Sequence, residues 1–207
     1  MKADGGKGAL RVIGLTGPVA GGKSEAARLL AERGARIVDL DAIGHELLAD
    51  PQVREEVNRA FSEAADAGDL GELRRRLAGI VFADGTALSR LEHILHGRMC
   101  EVVRREVARL RASGESGLAV IAGALVFEMG LEELCDAVVL VDAPLEIRID
   151  RARRSRGWDR EEIMRREGRQ MPLEAKRLRA NRVLDNSGTR EQLEAAVAAI
   201  WEEWGCQ

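Results

Sequence analysis

Eight residues near the start of the chain, Gly17-Pro18-Val19-Ala20-Gly21-Gly22-Lys23-Ser24, satisfy the pattern G-x-x-x-x-G-K-[ST] without a mismatch. The chemistry such a run can do is to hold the phosphates of a nucleotide. Glycines let the backbone curl so that successive N–H groups converge on phosphate oxygens. Lys23 adds a point charge for the β- and γ-phosphates, and Ser24 a hydroxyl ligand for magnesium. Glu25 follows at the helix start, where a carboxylate favours the dipole but opposes a second anion. Gly17, Ala20, Gly21, Gly22, Lys23, Ser24 and Glu25 are the expected nucleotide contacts. A Gly-rich turn with an accidental Lys-Ser is the plainer alternative. The apolar run before the loop and the helical pattern after it argue against that alternative.

A second pair of chemical groups ends the next apolar run, in Ile37-Val38-Asp39-Leu40-Asp41. Carboxylates spaced i, i+2 at the carboxyl end of a strand can divide labour. One can take a proton from an acceptor hydroxyl, and the other can hold water on magnesium. Alternatively, one of them caps a helix expected to start at Ala42. A phosphate loop by itself does not separate kinases from GTPases, motors or switches.

The elements that must position these groups are legible from periodicity. Leu10–Leu15 is a short apolar run before the loop, and similar runs recur at Ala35–Val38, Leu118–Ala122, Ala137–Val141 and Val183–Leu184. Apolar stripes at helical spacing lie between them: Ala26, Leu29 and Leu30; Leu88, Leu91, Leu95, Met99, Val102 and Val103; Leu193, Val197, Ile200 and Trp204. Buried strands alternating with amphipathic helices predict an α/β fold, a three-layer α/β/α arrangement around a parallel sheet. Residues 10–41, 118–147 and 183–207 are the expected core, and 1–9 a mobile N-terminal tail. The alternation breaks over 42–117, which carries helical periodicity without a strand and reads as a helical insertion. It breaks again over 148–182, where thirteen Arg and Lys face six Asp and Glu. That stretch carries +7 and the rest of the chain −10, although the whole is only −3.

The chain's near-neutral balance gives no general pull toward nucleic acid or a membrane surface, so neither is an expected partner. With 45% hydrophobic and 32% charged residues in 207, it has the composition of a packed domain rather than a disordered one. Cys100, Cys135 and Cys206 are sparse and odd in number, the usage of reduced thiols, and no apolar run reaches the length of a leader or a membrane span. A cytoplasmic location is the expectation. His45, His93 and His96 lack metal-ligand spacing, and Trp201 and Trp204 fit packing of the last helix.

Several further blocks bear on the function class. They are Val38-Asp-Leu-Asp-Ala-Ile-Gly-His-Glu-Leu-Leu48, Leu77-Ala-Gly-Ile-Val-Phe82, Leu91-Glu-His-Ile-Leu-His96, Leu125-Val-Phe-Glu128, Val141-Asp-Ala-Pro144, Gln170-Met-Pro-Leu-Glu-Ala-Lys-Arg177 and Leu184-Asp-Asn-Ser-Gly188. With Gly14-Leu-Thr-Gly17 and the phosphate loop they resemble the dephospho-CoA kinase family, in order, over about residues 10 to 200. The resemblance implies a P-loop core, a helical CoA-side domain over 42–117 and an Arg-rich lid over 148–182. It implies ATP-dependent transfer, with magnesium, to the ribose 3′-hydroxyl of dephospho-CoA.

It further implies that Asp41 is the base and, with Ala122 in place of an acidic residue, that magnesium is left to Ser24, to Asp39 through water or to Asp41. It puts His96 on the acceptor side, and Asn186 and Gly188 beside adenine. The alternative at 186–189 is a plain helix entry capped by Thr189. The family's lid arginine falls near Ser155, leaving Arg151, Arg154 and Arg156 as candidates, although a solvated helix face explains part of the basic run. Two departures stand out. Ala122 replaces an acidic residue frequent at that strand end, and Gly97 replaces a proline after Leu95-His96. Another small-molecule kinase of the nucleoside monophosphate type, or a catalytically weak nucleotide-binding protein, would share the same core.

Overall fold

The structure, a computed structural model of the chain, describes residues 10–65, 67–114 and 116–205. The tail expected at 1–9 and Cys206 lie outside the described residues.

Five parallel strands form one sheet: β1 (Leu10–Thr16), β2 (Arg36–Asp39), β3 (Gly117–Ala122), β4 (Ala137–Asp142) and β5 (Arg182–Asp185), in the order β2-β3-β1-β4-β5. Every strand falls on one of the apolar runs. In the inner strands β1, β3 and β4 the runs are continuous because helices cover both faces of a parallel sheet, whereas the edge strand β5 exposes Val183 and buries Leu184. β1 is central, and the chain crosses to opposite sides of it after β1 and after β3. Such a reversal opens a crevice beyond the strands' carboxyl ends, and the phosphate loop leaves β1 there.

One face of the sheet presents Ile13, Leu15, Leu118, Val120, Val139 and Val141 to α1 (Lys23–Glu32) and α9 (Arg190–Trp204). Ala26, Leu29 and Leu30 line the inner side of α1, and Leu193, Val197 and Ile200 that of α9. Each large side chain so buried contributes about 1.5–3 kcal/mol. Thr189 starts α9 with a capping box: its hydroxyl accepts from Gln192 N–H, and the Gln192 side chain accepts from Thr189 N–H. The opposite face places Val12, Ala119, Ile121, Val138 and Leu140 in the interior.

Between β2 and β3 the described chain is helical: α2 (Leu40–Leu47), α3 (Pro51–Ala60), α4 (Leu70–Ala83) and α5 (Gly85–Ala112). Leu40–Val103 makes a compact unit of its own, and residues 104–205 fold with the sheet. The unit's core is built from Leu48, Val53, Val57, Phe61, Leu73, Leu77 and Val81. Asp50 caps α3 through the N–H groups of Gln52 and Val53, with Pro51 in the first turn, and Asp69 caps α4. After β4 come α6 (Leu145–Arg156), α7 (Arg160–Glu167) and α8 (Leu173–Arg179).

One local expectation needs correcting. The helix after β2 starts at Leu40, not Ala42, so Asp41 lies inside its first turn and is not its cap. Leu40 and Ile43 are buried three residues apart, and their burial draws the helix back to Leu40.

Candidate active site

The phosphate loop runs from the end of β1 into α1 against the carboxyl end of β4. A Cβ on Gly17 would stand 2.1 Å from the carbonyl oxygen of Val141. Gly22 takes φ 104° at the head of α1, and a Cβ there would meet Asn186 Nδ2 at 1.9 Å. That amide donates to Gly21 O at 2.9 Å, tying the loop to the turn after β5. Lys23 Nζ donates to the carbonyls of Gly17 and Pro18 at 3.0 and 3.1 Å, closing the curl from inside. Ala20 is the one described non-glycine residue with positive φ, at 57°. Holding a Cβ-bearing residue there costs about 1–2 kcal/mol, which the surroundings must offset.

The surroundings are specific. Val19 N–H donates to Glu167 Oε1 at 2.9 Å, and Val19 O accepts from the Arg148 guanidinium at 3.2 Å. Arg148 also pairs with Glu167 and donates to Ala143 O at 3.0 Å. It is 4% exposed, although it belongs to the basic run that a solvated face would partly explain. The Val19 side chain packs with Ile149, Ala152 and Ile163, so α6 and α7 grip the loop through both its backbone and its apolar side.

A pocket of about 310 Å³ opens beside the loop, lined by Gly22, Glu25, Arg151, Asn186, Gly188, Thr189 and Arg190, with Leu193 behind. It unites residues from the loop, α6 and the β5–α9 turn. Thr189 caps α9, the plain helix entry, while Asn186 and Gly188 line this pocket. Glu25 accepts from Arg28 and lies 3.7 Å from Arg190. The Arg28 hydrogen bonds hold its carboxyl below the usual carboxylate range. Its charge is thus shared with two guanidiniums beside the phosphate site.

Of the three arginine candidates, only Arg151 reaches this pocket, and its Nη1 is buried without a hydrogen-bond partner. Arg154 pairs with Asp150 at 2.8 Å on the surface, and Arg156 lies over the Trp158 ring at 4.8 Å. Arg190 joins the pocket from the start of α9.

At the sheet's carboxyl edge, Asp39 and Leu15 both stand in register with Ala122, on the strands flanking β3. Asp39 is therefore about 10 Å, two strand spacings, from the end of β1. The acidic residue missing at Ala122 has a carboxylate on the adjacent strand at the same level. Below the loop, Lys176 is buried and pairs with Glu128 at 2.8 Å while donating to Ala124 O at 2.6 Å. Ala124 O also accepts from Thr16, the residue before the loop. Asp142 ends β4 by accepting from Ala143 N–H and from Arg177 Nε at 2.9 Å.

Asp41 is exposed in the first turn of α2, and His96 is half-buried within α5, both in the helical unit. Leu95-His96-Gly97 lies inside the continuous α5. Sequence reasoning missed Arg148, Glu167, Arg190 and the bonding of Lys176 with Glu128. These pairs join residues far apart in the chain, and spacing carries no trace of them.

No group of three or more His, Cys, Asp or Glu among the described residues could hold a metal. Magnesium keeps most of its waters and takes one or two protein oxygens plus phosphate. Ser24, exposed in the first turn of α1, offers such an oxygen. No helix among the described residues is long and apolar enough to cross a membrane.

The parallel sheet with β1 central, the phosphate loop and the adjoining pocket define a P-loop nucleotide-binding protein. A family model described as dephospho-CoA kinase matches residues 11–192. A protein named dephospho-CoA kinase from Deinococcus radiodurans is 43% identical over 189 residues, covering 91% of this chain and 90% of its own. One of the same name from Thermus thermophilus is 40% identical over 192 residues, covering 93% and 91%. The crystal structure of TT1252 from Thermus thermophilus superposes with a TM-score of 0.76 at 39% identity, over 94% of this chain and 98% of that one. The chain belongs to the dephospho-CoA kinase family.

Proposed function

We propose that this protein transfers the γ-phosphoryl group of ATP to the 3′-hydroxyl of the dephospho-CoA ribose, giving CoA and ADP. Adenine and ribose occupy the pocket between Gly22, Asn186, Gly188 and Arg151. The phosphates lie on the loop amides and Lys23. Ser24 would ligate magnesium and Asp39 would hold one of its waters; the ion would neutralise phosphate charge when bound. Asp41 orients the acceptor hydroxyl and receives its proton as the oxygen–phosphorus bond forms and ADP leaves.

Phosphoryl transfer needs little covalent work from a protein, so positioning and charge carry the rate. The helical stretch 42–117, with His96, takes the acceptor. Residues 148–182 form the lid, with Arg151 its contribution to the nucleotide. The observation that carries this reading is the pocket itself. An intact phosphate loop, the buried Asn186 and the unpartnered Nη1 of Arg151 meet at one cavity.

The test is ADP release with Mg-ATP, comparing dephospho-CoA with AMP, CMP, adenosine and no acceptor. ADP formed only with dephospho-CoA, with a product of the mass of CoA, is the expected result. Turnover with another acceptor instead would reassign the substrate.

A further inference from the structure

We infer that Arg148 and Glu167 are positioning residues for nucleotide phosphate, acting through the Val19 peptide of the phosphate loop. The inference deepens the proposed function and rests on it for the identity of the nucleotide.

Three observations carry it. Both polar groups of the Val19 residue are taken by this pair, the N–H by Glu167 at 2.9 Å and the carbonyl by Arg148 at 3.2 Å. The pair is shielded from water, with the Arg148 side chain 4% and that of Glu167 19% exposed. The next residue, Ala20, holds the loop's one left-handed non-glycine conformation. Fixing the peptide groups before and after Val19 fixes the approach to that turn. It also turns the Val19 N–H away from the phosphate cradle, onto a carboxylate. The Gly21 N–H is taken as well, by the Pro18 carbonyl at 3.1 Å, so the first N–H groups of α1 are the ones that meet the anion.

The joint has a third arm. Arg148 Nε donates to Ala143 O, just past β4, so the loop, the β4–α6 corner and the end of α7 share one guanidinium. Arg is suited to this because its planar fork donates in several fixed directions at once. A surface ion pair would do none of this. Glu146–Arg160, exposed on the same two helices, touches no loop backbone and serves as the control.

The position of α7 is thereby linked to the shape of the phosphate loop. An arrangement of α6 and α7 that releases Glu167 releases the Val19 N–H as well. Replacing the whole pair by apolar side chains separates this role from simple stabilisation. Buried ion pairs exchanged for well-packed apolar residues commonly leave stability unchanged or raised.

The experiment is calorimetric binding of Mg-ADP to the full chain, beside thermal unfolding. Glu167→Gln keeps an oxygen for the Val19 N–H, and is expected within about threefold of the parent affinity. The double variant Arg148→Met/Glu167→Leu is expected to fold and to bind Mg-ADP about tenfold more weakly, a loss of about 1.4 kcal/mol. Glu146→Gln is expected to bind as the parent does. Parent-like Mg-ADP affinity in the double variant would overturn the inference, as would a Glu167→Gln variant as weak as the double. If the parent binds Mg-ADP but turns over no dephospho-CoA, the substrate assignment fails while the comparison of affinities still decides the role of the pair.

Discussion

The Asn186 side-chain amide donates to the Gly21 carbonyl at 2.9 Å and stands where a Cβ on Gly22 would fall. One buried amide from the last strand's turn thus braces the phosphate loop and leaves no room for a side chain in it. Gly22→Ala would face φ 104° and a contact of 1.9 Å together. Its expected outcome is loss of nucleotide binding, read by calorimetry. Asn186→Ala orphans the buried Gly21 carbonyl, costing about 1–3 kcal/mol. A raised KM for ATP should accompany the lower unfolding midpoint. A lower midpoint with unchanged KM would confine Asn186 to a structural brace.

The proposed function gives Lys23 the nucleotide phosphates and Asp41 the acceptor hydroxyl, and each role has its own test. Lys23→Ala should abolish turnover and weaken ATP binding. Asp41→Asn should retain ATP binding while turnover falls by about 10²-fold or more, the scale of a positioned base. Near-parental turnover in Asp41→Asn would refute that role.

Gly97 sits within α5, and a Cβ there meets nothing within 4 Å. An exposed glycine in a helix interior costs up to about 1 kcal/mol relative to alanine, through the entropy of its unfolded state. Gly97→Ala is therefore expected to raise stability by about 0.5–1 kcal/mol, measured by denaturant unfolding. A loss of stability would mean that α5 is not continuous there.

All five strands and the phosphate loop were legible because their signals are local. A continuous apolar run bounded by glycine reads as a covered strand whatever lies elsewhere in the chain. The groups that hold the loop in shape were not legible, for they join residues far apart in sequence. Glu167 and Arg148 reach Val19 across 148 and 129 positions. The choice among arginines was half legible. Ile149 and Ala152 are three apart and mark the inward side of α6, and Arg148 and Arg151 flank them one position earlier on the same face. Arg154 and Arg156, in the last turn, are engaged elsewhere, Arg154 with Asp150 and Arg156 over the Trp158 ring. The start of α2 was misplaced because Asp39 and Asp41 both suit a cap, and only the burial of Leu40 decides.

Cys135 carries the last prediction, on alkaline stability. Its Sγ donates to Leu131 O at 3.4 Å and lies against Gly14 of β1. Burial pushes the thiol up to about 12, with the carboxylates of Asp136 and Glu132 adding to the effect. The folded pKa is above that of the unfolded chain, so the contribution is complete below about pH 9 and is lost as pH rises toward 12. The chain has no tyrosine, which removes one of the competing titrations in this range. Cys135→Ala should flatten the fall in unfolding free energy between about pH 8.5 and 10.5. In the parent, Cys135 should react with a thiol reagent at pH 8 far more slowly than a free cysteine does. An unaltered slope in Cys135→Ala, with fast modification of Cys135 in the parent, would show an accessible thiol that titrates normally.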